Sequence, residues 1–280
     1  MTSLPNTDKP TKIRVLYVGL KYDYGKPELG FSYEYVNLYE SLVRSEHYKV
    51  DLFPFDEIMR EVGRDNMNKR LIETVHELKP DCCFFVLFTD EIKKETIRAI
   101  TEKSGSITFN WFCDDHWRFE NYSKHWAPLF HWASTTDSLS VDKYLQIGFN
   151  NIIKTQWGFN HHLYNTYDPV KDYDVTFIGQ SHSNRKQILL QLEKDGLNIK
   201  CWGKGWENGR LSHEDMVKMF SRSKINLNFT ESSVVFGWKP IVKIFLNRRA
   251  DDSLRINSPF QMLRNISILS DERRSQIKGR

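Results

Sequence analysis

Hydrophobic and polar positions along the chain follow two alternating patterns. Short runs of β-branched and aromatic residues, such as KIRVLYVG at 12–19 and PDCCFFVLF at 80–88, predict buried strands. Between such runs, apolar residues recur at helical spacing, as at 65–79 and 90–105. Strands that alternate with helices of this length indicate βαβ units and a parallel sheet, so we expect an α/β fold.

The alternation occurs twice and predicts two domains. After a disordered lead at 1–11, we expect a first domain at 12–158, a linker without clear period at 159–172, and a second domain at 173–280. Both halves open as a strand, a glycine-ended loop and a helix, which predicts Rossmann-like domains that face a cleft. The predicted strands are 12–19, 49–55, 80–88, 106–115, 129–136, 151–158, 173–179, 197–203 and 224–229; further helices are predicted at 30–45, 137–148, 184–196 and 211–223.

Composition excludes several classes of protein. Hydrophobic residues make up 40% of the 280 residues and charged residues 27%, which is typical of an ordinary folded chain. The sequence lacks the roughly 18 consecutive apolar residues of a membrane helix and the apolar region of a signal peptide, so we expect a cytoplasmic protein, with peripheral membrane contact left open. The four cysteines lack zinc-type spacing, so we expect reduced thiols and no metal site.

The charge is concentrated near the end of the chain. Residues 232–280 contain ten lysines or arginines and four acidic residues, a balance of +6 in a chain whose net charge is +4. Such a segment suits contact with phosphates, whether in a nucleotide sugar, a nucleic acid or a membrane surface, or forms a solvated charged face.

Several motifs in the second half occur in a characteristic order. A strand ends in Phe-Ile-Gly at 177–179 and is soon followed by Arg185, a second strand ends in Trp-Gly at 202–203, and SKINLNF at 223–229 forms a third. This half resembles the nucleotide-sugar-binding half of GT-B glycosyltransferases, most closely the CgeB-like, spore-maturation type of the group-1 clan. WFCDDHWRF at 111–119 and QWGFNHHLY at 156–164 are similar to that group's acceptor domain and linker.

The resemblance implies a metal-independent hexosyltransferase without a cofactor. In such an enzyme the second domain would bind a UDP- or GDP-sugar, and the first domain would bind a glycan, lipid or small-molecule acceptor. In similar proteins the segment QIKGR, at 276–280 here, leads into a Phe-Glu sequence and a glycine-rich turn, so we expect an incomplete second domain. The alternatives are an inactive or truncated GT-B protein that serves as a binding module, and a nucleic-acid-binding protein that uses the basic C-terminal segment. The oligomeric state is not predicted.

Candidate catalytic residues follow the strand predicted at 106–115. Glycosyl transfer commonly needs a base that takes the proton of the acceptor hydroxyl, and Asp114, Asp115 and His116 lie where ligands bind in open α/β sheets. Adjacent carboxylates raise one another's pKa, which suits a base, and we favour Asp115 over Asp114. Alternatively, the pair caps the next segment. On the acceptor side, Gly19, Gly25 and Gly30 belong to a loop that either contacts the acceptor or is a plain turn.

Candidate donor-binding residues cluster after the first two strands of the second domain. Gly179 allows a turn, Ser181, Ser183 and Asn184 are N-cap types whose loop exposes amides to a phosphate, and Arg185 adds charge. Alternatively, these residues form a capped helix with an arginine in solvent. Trp202 and Trp206 either stack on a base or pack in the core. The remaining phosphate candidates are Gly203, Lys204, Lys239, Lys243, Lys278 and Arg280.

Overall fold

The computed structural model describes residues 12–165, 170–181, 184–229, 246–248 and 254–256. The chain divides into two compact units, Met1–His161 and His162–Arg280, which we call unit 1 and unit 2. Each unit contains a parallel sheet with helices packed on it, so the predicted α/β class with Rossmann-like halves is confirmed. Among the described residues no helix has the length and apolar character to cross a membrane, and no cluster of three or more His, Cys, Asp or Glu residues could hold a metal ion.

Unit 1 is built on a six-stranded parallel sheet in the order β2-β1-β3-β4-β5-β6. The interior strands β1 and β4 are mostly buried, which explains why their sequences are nearly continuous hydrophobic runs. Their bounds are β1 Ile13–Gly19, β2 Tyr48–Pro54, β3 Cys82–Phe85, β4 Ile107–Phe112, β5 Trp132–Thr135 and β6 Ile152–Lys154.

The helices of unit 1 lie on both faces of this sheet. One face packs on the π-helical turn before α1, through Leu38 and Tyr39, and on α1 itself, through Leu42; the other face packs on α2, α3 and α6. The α-helices are α1 Glu40–Val43, α2 Phe55–Leu78, α3 Lys94–Lys103, α4 Asp115–Arg118, α5 Lys124–Trp126 and α6 Ser138–Gln146. A first π-helical turn, Tyr35–Tyr39, precedes α1, and a second, Phe119–Ser123, follows α4. Short 3-10 turns are Asp23–Gly25, Pro27–Leu29 and Ala127–Leu129.

Two parts of unit 1 differ from the sequence prediction. The helix expected at 65–79 corresponds to the second part of α2, and a further helical part from Phe55, not predicted, precedes it; Gly63, with a non-helical φ of 77°, forms the kink between the two parts. The segment 115–129, for which no helix was predicted, contains α4, α5 and the turns beside them. Its π-helical turn shifts the side-chain period away from the regular helical spacing that periodicity detects.

The segment after β6 is attached to the helix that follows β1. Asn160 is fully buried, and its backbone N–H donates to Asn37 Oδ1 at 2.9 Å while its side chain donates to the carbonyl of Val36 at 2.9 Å. Asn37 lies in the first π-helical turn, and its own amide donates to the carbonyl of Tyr33 at 3.0 Å. The buried polar groups are therefore satisfied by each other, which fixes residues 155–160 along one face of the sheet.

Unit 2 contains a three-stranded parallel sheet in the order β8-β7-β9, together with a two-stranded antiparallel pair, β10 and β11. The buried side chains of Val175, Phe177, Leu189 and Ile199 form its core. The bounds are β7 Tyr173–Ile178, α7 Arg185–Lys194, β8 Ile199–Trp202, α8 His213–Arg222, β9 Ser223–Leu227, β10 Leu246–Arg248 and β11 Leu254–Ile256.

All four cysteines are free thiols, as predicted. Burial raises the pKa of Cys82 to about 11, of Cys83 to about 12 and of Cys201 to about 11, so these thiols are protonated at neutral pH. Three of the four lie in unit 1, and Cys201 lies on β8 of unit 2.

Candidate functional site

The sheet of unit 1 has one topological switch point, between β1 and β3. The chain leaves β1 toward β2 through α1 on one face, and leaves β3 toward β4 through α3 on the other face. Open α/β sheets bind ligands outside the carboxyl ends of their strands at such a point. Here that edge is formed by the loop 19–30 after β1, the segment 86–93 after β3, and residues 113–118 after β4.

The loop 19–30 is held in a fixed shape by the start of α2. Asp56 is buried, and its carboxylate accepts from the backbone N–H groups of Lys21 at 2.9 Å and Tyr22 at 3.0 Å. Arg60 donates to the carbonyl of Gly25 at 3.0 Å, and the ring of Tyr22 stacks on Phe31 with centroids 5.7 Å apart. The loop is therefore a preformed part of the switch-point edge.

The three acceptor-side glycines shape this loop for different reasons. Gly25 and Gly30 have positive φ values of 68° and 80°, a conformation that residues with a side chain rarely adopt. At Gly19 a Cβ atom would lie 2.7 Å from the ring of Tyr17, which is completely buried beneath the loop. Their role is therefore conformational, and contact with an acceptor stays a prediction for this loop.

Asp115 is a buried anchor for α4. Its residue is 1% exposed, and its Oδ2 accepts from the hydroxyl of Tyr144, on α6, at 2.8 Å. Burial, followed by the charge of Asp115 and this hydrogen bond, raises the pKa of Tyr144, so the tyrosine keeps its proton. Oδ1 of Asp115 is also buried and has no hydrogen-bond partner among the described residues. A carboxylate in this position joins α4 to α6 and is not presented to solvent.

Asp114 and His116 are more accessible than Asp115. Asp114 is half-buried, and its carbonyl accepts the N–H groups of Trp117 at 3.1 Å and Arg118 at 2.9 Å, which begins α4. His116 is exposed on the first turn of that helix. Of the two adjacent carboxyl groups, Asp114 is therefore the one that a ligand at the sheet edge could reach.

A second carboxyl group, Glu34, belongs to the same edge and was missed by the sequence reasoning. Burial raises the pKa of Glu34, and the negative charges of Asp23 and Asp114 add to this rise. Burial and the charges of Asp114 and Glu34 likewise raise the pKa of the Cys113 thiol. The two carboxyl groups are close enough to interact although 80 positions separate them. The available signal was weak: an acid at the start of the helix after the glycine loop.

In unit 2 the loops after β7 and β8 run side by side. The N–H of Gly179 donates to the carbonyl of Trp202 at 2.8 Å, and that of Ser181 donates to the carbonyl of Lys204 at 3.0 Å. A Cβ atom on Gly203, whose φ is 129°, would lie 2.2 Å from the carbonyl oxygen of Gly179. Only a glycine at 203 allows this approach, and the structure therefore joins the two groups of donor candidates at one edge.

Arg185 fastens this edge to β9. Its guanidinium donates to the carbonyls of Gln180 at 3.3 Å and Phe229 at 3.2 Å, and it lies over the ring of Phe177 at 5.8 Å from the centroid. These contacts hold the loop after β7 against the end of the sheet. The arginine predicted to meet a phosphate thus donates to backbone oxygens, and its contact with a phosphate stays a prediction.

The other donor candidates lie around the same loops. Ser181 is half-buried, Asn184 is the N-cap residue of α7, and Lys204 is exposed. Trp202 packs in the core, and Trp206 donates from its indole to the carbonyl of Gly179 at 2.8 Å, so both serve packing. The candidates that lie outside the described residues are Ser183, Lys239, Lys243, Lys278 and Arg280.

The chain was compared with known proteins. Residues 185–246, in unit 2, match the model of a glycosyl transferase-like family. No curated protein matches the chain.

Solved structures with a similar fold include two epimerases and a galactosyltransferase. The UDP-GlcNAc 2-epimerase from Neisseria meningitidis bound to UDP-GlcNAc is 11% identical, with 76% of each chain covered and a TM-score of 0.48. A putative UDP-N-acetylglucosamine 2-epimerase from Listeria monocytogenes is 9% identical, with 77% of this chain and 74% of that chain covered and a TM-score of 0.46. The lipopolysaccharide outer core galactosyltransferase WaaB, apo form, is 12% identical, with 77% and 68% covered and a TM-score of 0.41.

Proposed function

We propose that this chain is a GT-B-type glycosyltransferase. Unit 2 would bind a nucleotide-diphosphate sugar, with UDP or GDP as the nucleotide, and unit 1 would bind the acceptor. The observation that carries this proposal is the match of residues 185–246 to a glycosyl transferase-like family. That segment includes α7, β8 and the turn at 203–205, which belongs to one of the two paired loops of unit 2; the other loop, after β7, directly precedes it.

The paired loops supply the chemistry that a diphosphate needs. Gly179 and Gly203 bring the backbone of both loops to one edge, next to the N-terminus of the ten-residue helix α7. A helix N-terminus favours a negative charge, and Lys204 adds an exposed cation at the end of β8. Together they would stabilise the charge that develops on the departing nucleotide diphosphate.

In unit 1 we propose Asp114 as the base, with Glu34 as a neighbouring carboxyl group at the same edge. The acceptor hydroxyl would transfer its proton to Asp114 while its oxygen forms a bond to the anomeric carbon of the donor. The bond from that carbon to the diphosphate oxygen breaks in the same reaction, and the electron pair leaves with the nucleotide. Asp115 is a poorer candidate because it is 1% exposed and bonded to Tyr144. Asp114 is the half-buried carboxyl group of the pair, so an acceptor hydroxyl at the sheet edge could reach it, as a general base requires.

Titration calorimetry of the full chain with UDP and GDP, and with sugar esters of each, tests the donor half of this proposal. We expect heat with one nucleotide and about tenfold weaker binding in Lys204→Ala, because a charge-assisted phosphate contact is lost. The matched control is Lys200→Ala, which removes an exposed lysine from β8 upstream of the turn. Absence of heat with every nucleotide would reject the proposal, as would equal weakening by the two variants.

A donor that binds without transfer would indicate the inactive, binding-module alternative. Transfer is measured by release of the nucleotide diphosphate in the presence of an acceptor panel. We expect Asp114→Asn to lower that release by about 10²–10⁴-fold while leaving calorimetric donor binding unchanged. A variant that keeps full activity would remove Asp114 from the mechanism.

A further inference from the structure

Exposed aromatic rings border the switch-point edge of unit 1. Tyr24, in the loop after β1, is 54% exposed, and Trp117, on α4, is 53% exposed. Large rings left this open at the switch-point edge are available to a ligand with an apolar face, whereas rings that serve the core are covered.

The two rings belong to one connected group, which we call the aromatic rim: Tyr24, Phe88, Trp117 and Arg118. The ring of Tyr24 meets Phe88 edge-on, with centroids 5.8 Å apart. Arg118 donates to the carbonyl of Phe88 at 2.7 Å, and its guanidinium lies 5.7 Å from the ring centre of Trp117. The rim therefore spans the loops after β1, β3 and β4.

The backbone holds Tyr24 outward at a cost. Tyr24 adopts a left-handed conformation, with φ 53° and ψ 25°, which is unfavourable for a residue with a bulky side chain. The surrounding loop maintains it, because Asp23 N–H donates to the carbonyl of Gly30 at 2.9 Å and Arg60 holds the carbonyl of Gly25. The loop therefore maintains an unfavourable conformation that leaves the Tyr24 ring exposed at the switch-point edge, and we expect that ring to contact a ligand.

The charges beside the rim select against an anionic ligand. The carboxyl groups of Glu34 and Asp114 lie close to one another at this edge. The neighbouring cation, Arg118, already donates to the carbonyl of Phe88 and lies 4.0 Å from the ring centre of Tyr122. A phosphate or carboxylate on the ligand would therefore meet negative charge, whereas hydroxyl groups would donate hydrogen bonds to the carboxylates.

We infer that the aromatic rim and the adjacent carboxyl groups form a binding site for a neutral saccharide. The C–H face of a sugar ring stacks on Tyr24 or Trp117, and its hydroxyl groups face Glu34 and Asp114. The assignment of this saccharide as the acceptor rests on the proposed function, and it narrows the acceptor from a glycan, lipid or small molecule to an uncharged sugar ring.

Saturation-transfer NMR of the full chain tests the inference with maltotriose, cellotriose and triacetylchitotriose, and with glucose and glucose 6-phosphate as a matched pair. We expect transfer to the ring C–H protons of at least one neutral trisaccharide and less transfer to glucose 6-phosphate than to glucose. Trp117→Ala and Tyr24→Asn each weaken binding about tenfold through the lost stacking contact. Asparagine tolerates the left-handed conformation, so the second variant removes the ring without adding strain.

The control is Trp132→Ala, which removes an exposed tryptophan at the amino end of β5, and it should leave saccharide binding unchanged. The inference is overturned if no neutral probe receives transfer, if glucose 6-phosphate binds as well as glucose, or if Trp132→Ala weakens binding equally. Calorimetry with UDP and GDP on the same samples separates the two proposals. Nucleotide binding without saccharide binding rejects this site alone, and saccharide binding without nucleotide binding rejects the donor assignment alone.

Discussion

Asp115 shows how a single buried carboxylate can serve structure at a position where sequence reasoning expects chemistry. It directly follows Asp114 and has the same carboxyl side chain, yet of the two only Asp114 is accessible. The difference arises because residue 115 begins α4 and turns inward toward Tyr144. Burial and partners, which the sequence does not display, therefore decide between adjacent identical side chains.

Removal of the Tyr144 hydroxyl should destabilise unit 1. Tyr144→Phe removes the hydrogen bond of the buried Asp115 carboxyl group, whose Oδ1 already lacks a partner among the described residues. We expect a loss of about 1.5–3 kcal/mol in the free energy of unfolding, measured by urea denaturation. Asp115→Asn keeps an acceptor for Tyr144 and should cost less. Equal stability of Tyr144→Phe and the wild type would show that the hydrogen bond is not formed.

Glu34 should give the stability a distinctive pH dependence. Its pKa in the folded chain is raised above the unfolded value, so between those two values the folded chain binds more protons than the unfolded chain. The contribution of Glu34 to stability is therefore most favourable at low pH and is lost as the pH rises through the folded pKa. Glu34→Gln should unfold at a higher temperature than the wild type at pH 7 to 8.

The advantage of Glu34→Gln should shrink as the pH falls toward 4, because the wild-type carboxyl group then carries a proton itself. Thermal unfolding followed by circular dichroism across this range measures the effect. Glu28→Gln, at an exposed position in the loop 19–30, is the control and should show no such trend. A constant difference between Glu34→Gln and the wild type at all pH values would contradict the burial of Glu34.

At the scale of elements, the paired loops of unit 2 depend on two glycines that are close in space but distant in sequence. Gly203→Ala places a Cβ atom 2.2 Å from the carbonyl oxygen of Gly179, in a conformation that alanine rarely adopts. We expect a loss of about 3 kcal/mol or more in stability, from strain together with the backbone collision. Nucleotide binding should be lost with the loop geometry.

Gly209→Ala provides the matched control for this prediction. Gly209 also has a positive φ, 64°, but a Cβ atom there would meet no other atom within 4 Å. Its replacement should cost only about 1–2 kcal/mol, the price of a left-handed alanine. Chemical denaturation of both variants measures the difference, and equal losses would mean that the approach of the two loops is not tight.

Most elements could be predicted from the sequence, because a buried strand of a parallel sheet is recognisable from its own short hydrophobic run. Each of the strands β1 to β9 overlaps a strand predicted from such a run. The first part of α2 and the helices at 115–129 were missed, since Gly63 and a π-helical turn disturb the period. The order of the strands in the sheet depends on pairing between segments that are distant in sequence, so the local pattern of hydrophobic residues does not predict it.

The candidate sites were predicted only in part, for the same reason. Asp114 and Gly179 are candidates from sequence because each follows a strand, at the edge where ligands bind in open α/β sheets, and their roles stay predictions. Glu34 was missed because its raised pKa comes mainly from burial, to which the charges of Asp23 and Asp114 add, and the sequence does not display burial. The contacts of Arg185 with the carbonyls of Gln180 and Phe229 could not be predicted, because backbone partners have no sequence signature.

The whole molecule consists of two compact units with separate cores. Chains of this kind commonly lose two-state behaviour, and we expect two thermal transitions in calorimetry. A ligand that binds only the folded form of one unit raises that unit's transition, by about 2.7 kcal/mol at a hundredfold excess over its Kd. UDP or GDP should shift one transition and a neutral saccharide the other. A shift of both transitions by either ligand would assign its site to more than one unit.

The rates at which the free thiols react with an alkylating reagent report on opening of the fold. Cys83 is buried in the core of unit 1, so it becomes reactive toward an alkylating reagent only when that unit opens, whereas Cys201, on β8 of unit 2, is partly buried. Peptide-resolved alkylation of the unmodified protein would therefore follow the opening of unit 1 at Cys83 and changes in the exposure of β8 at Cys201, without introducing a label. Slower labelling of Cys201 in the presence of a nucleotide would locate donor binding by its effect on a partly buried sulfur atom.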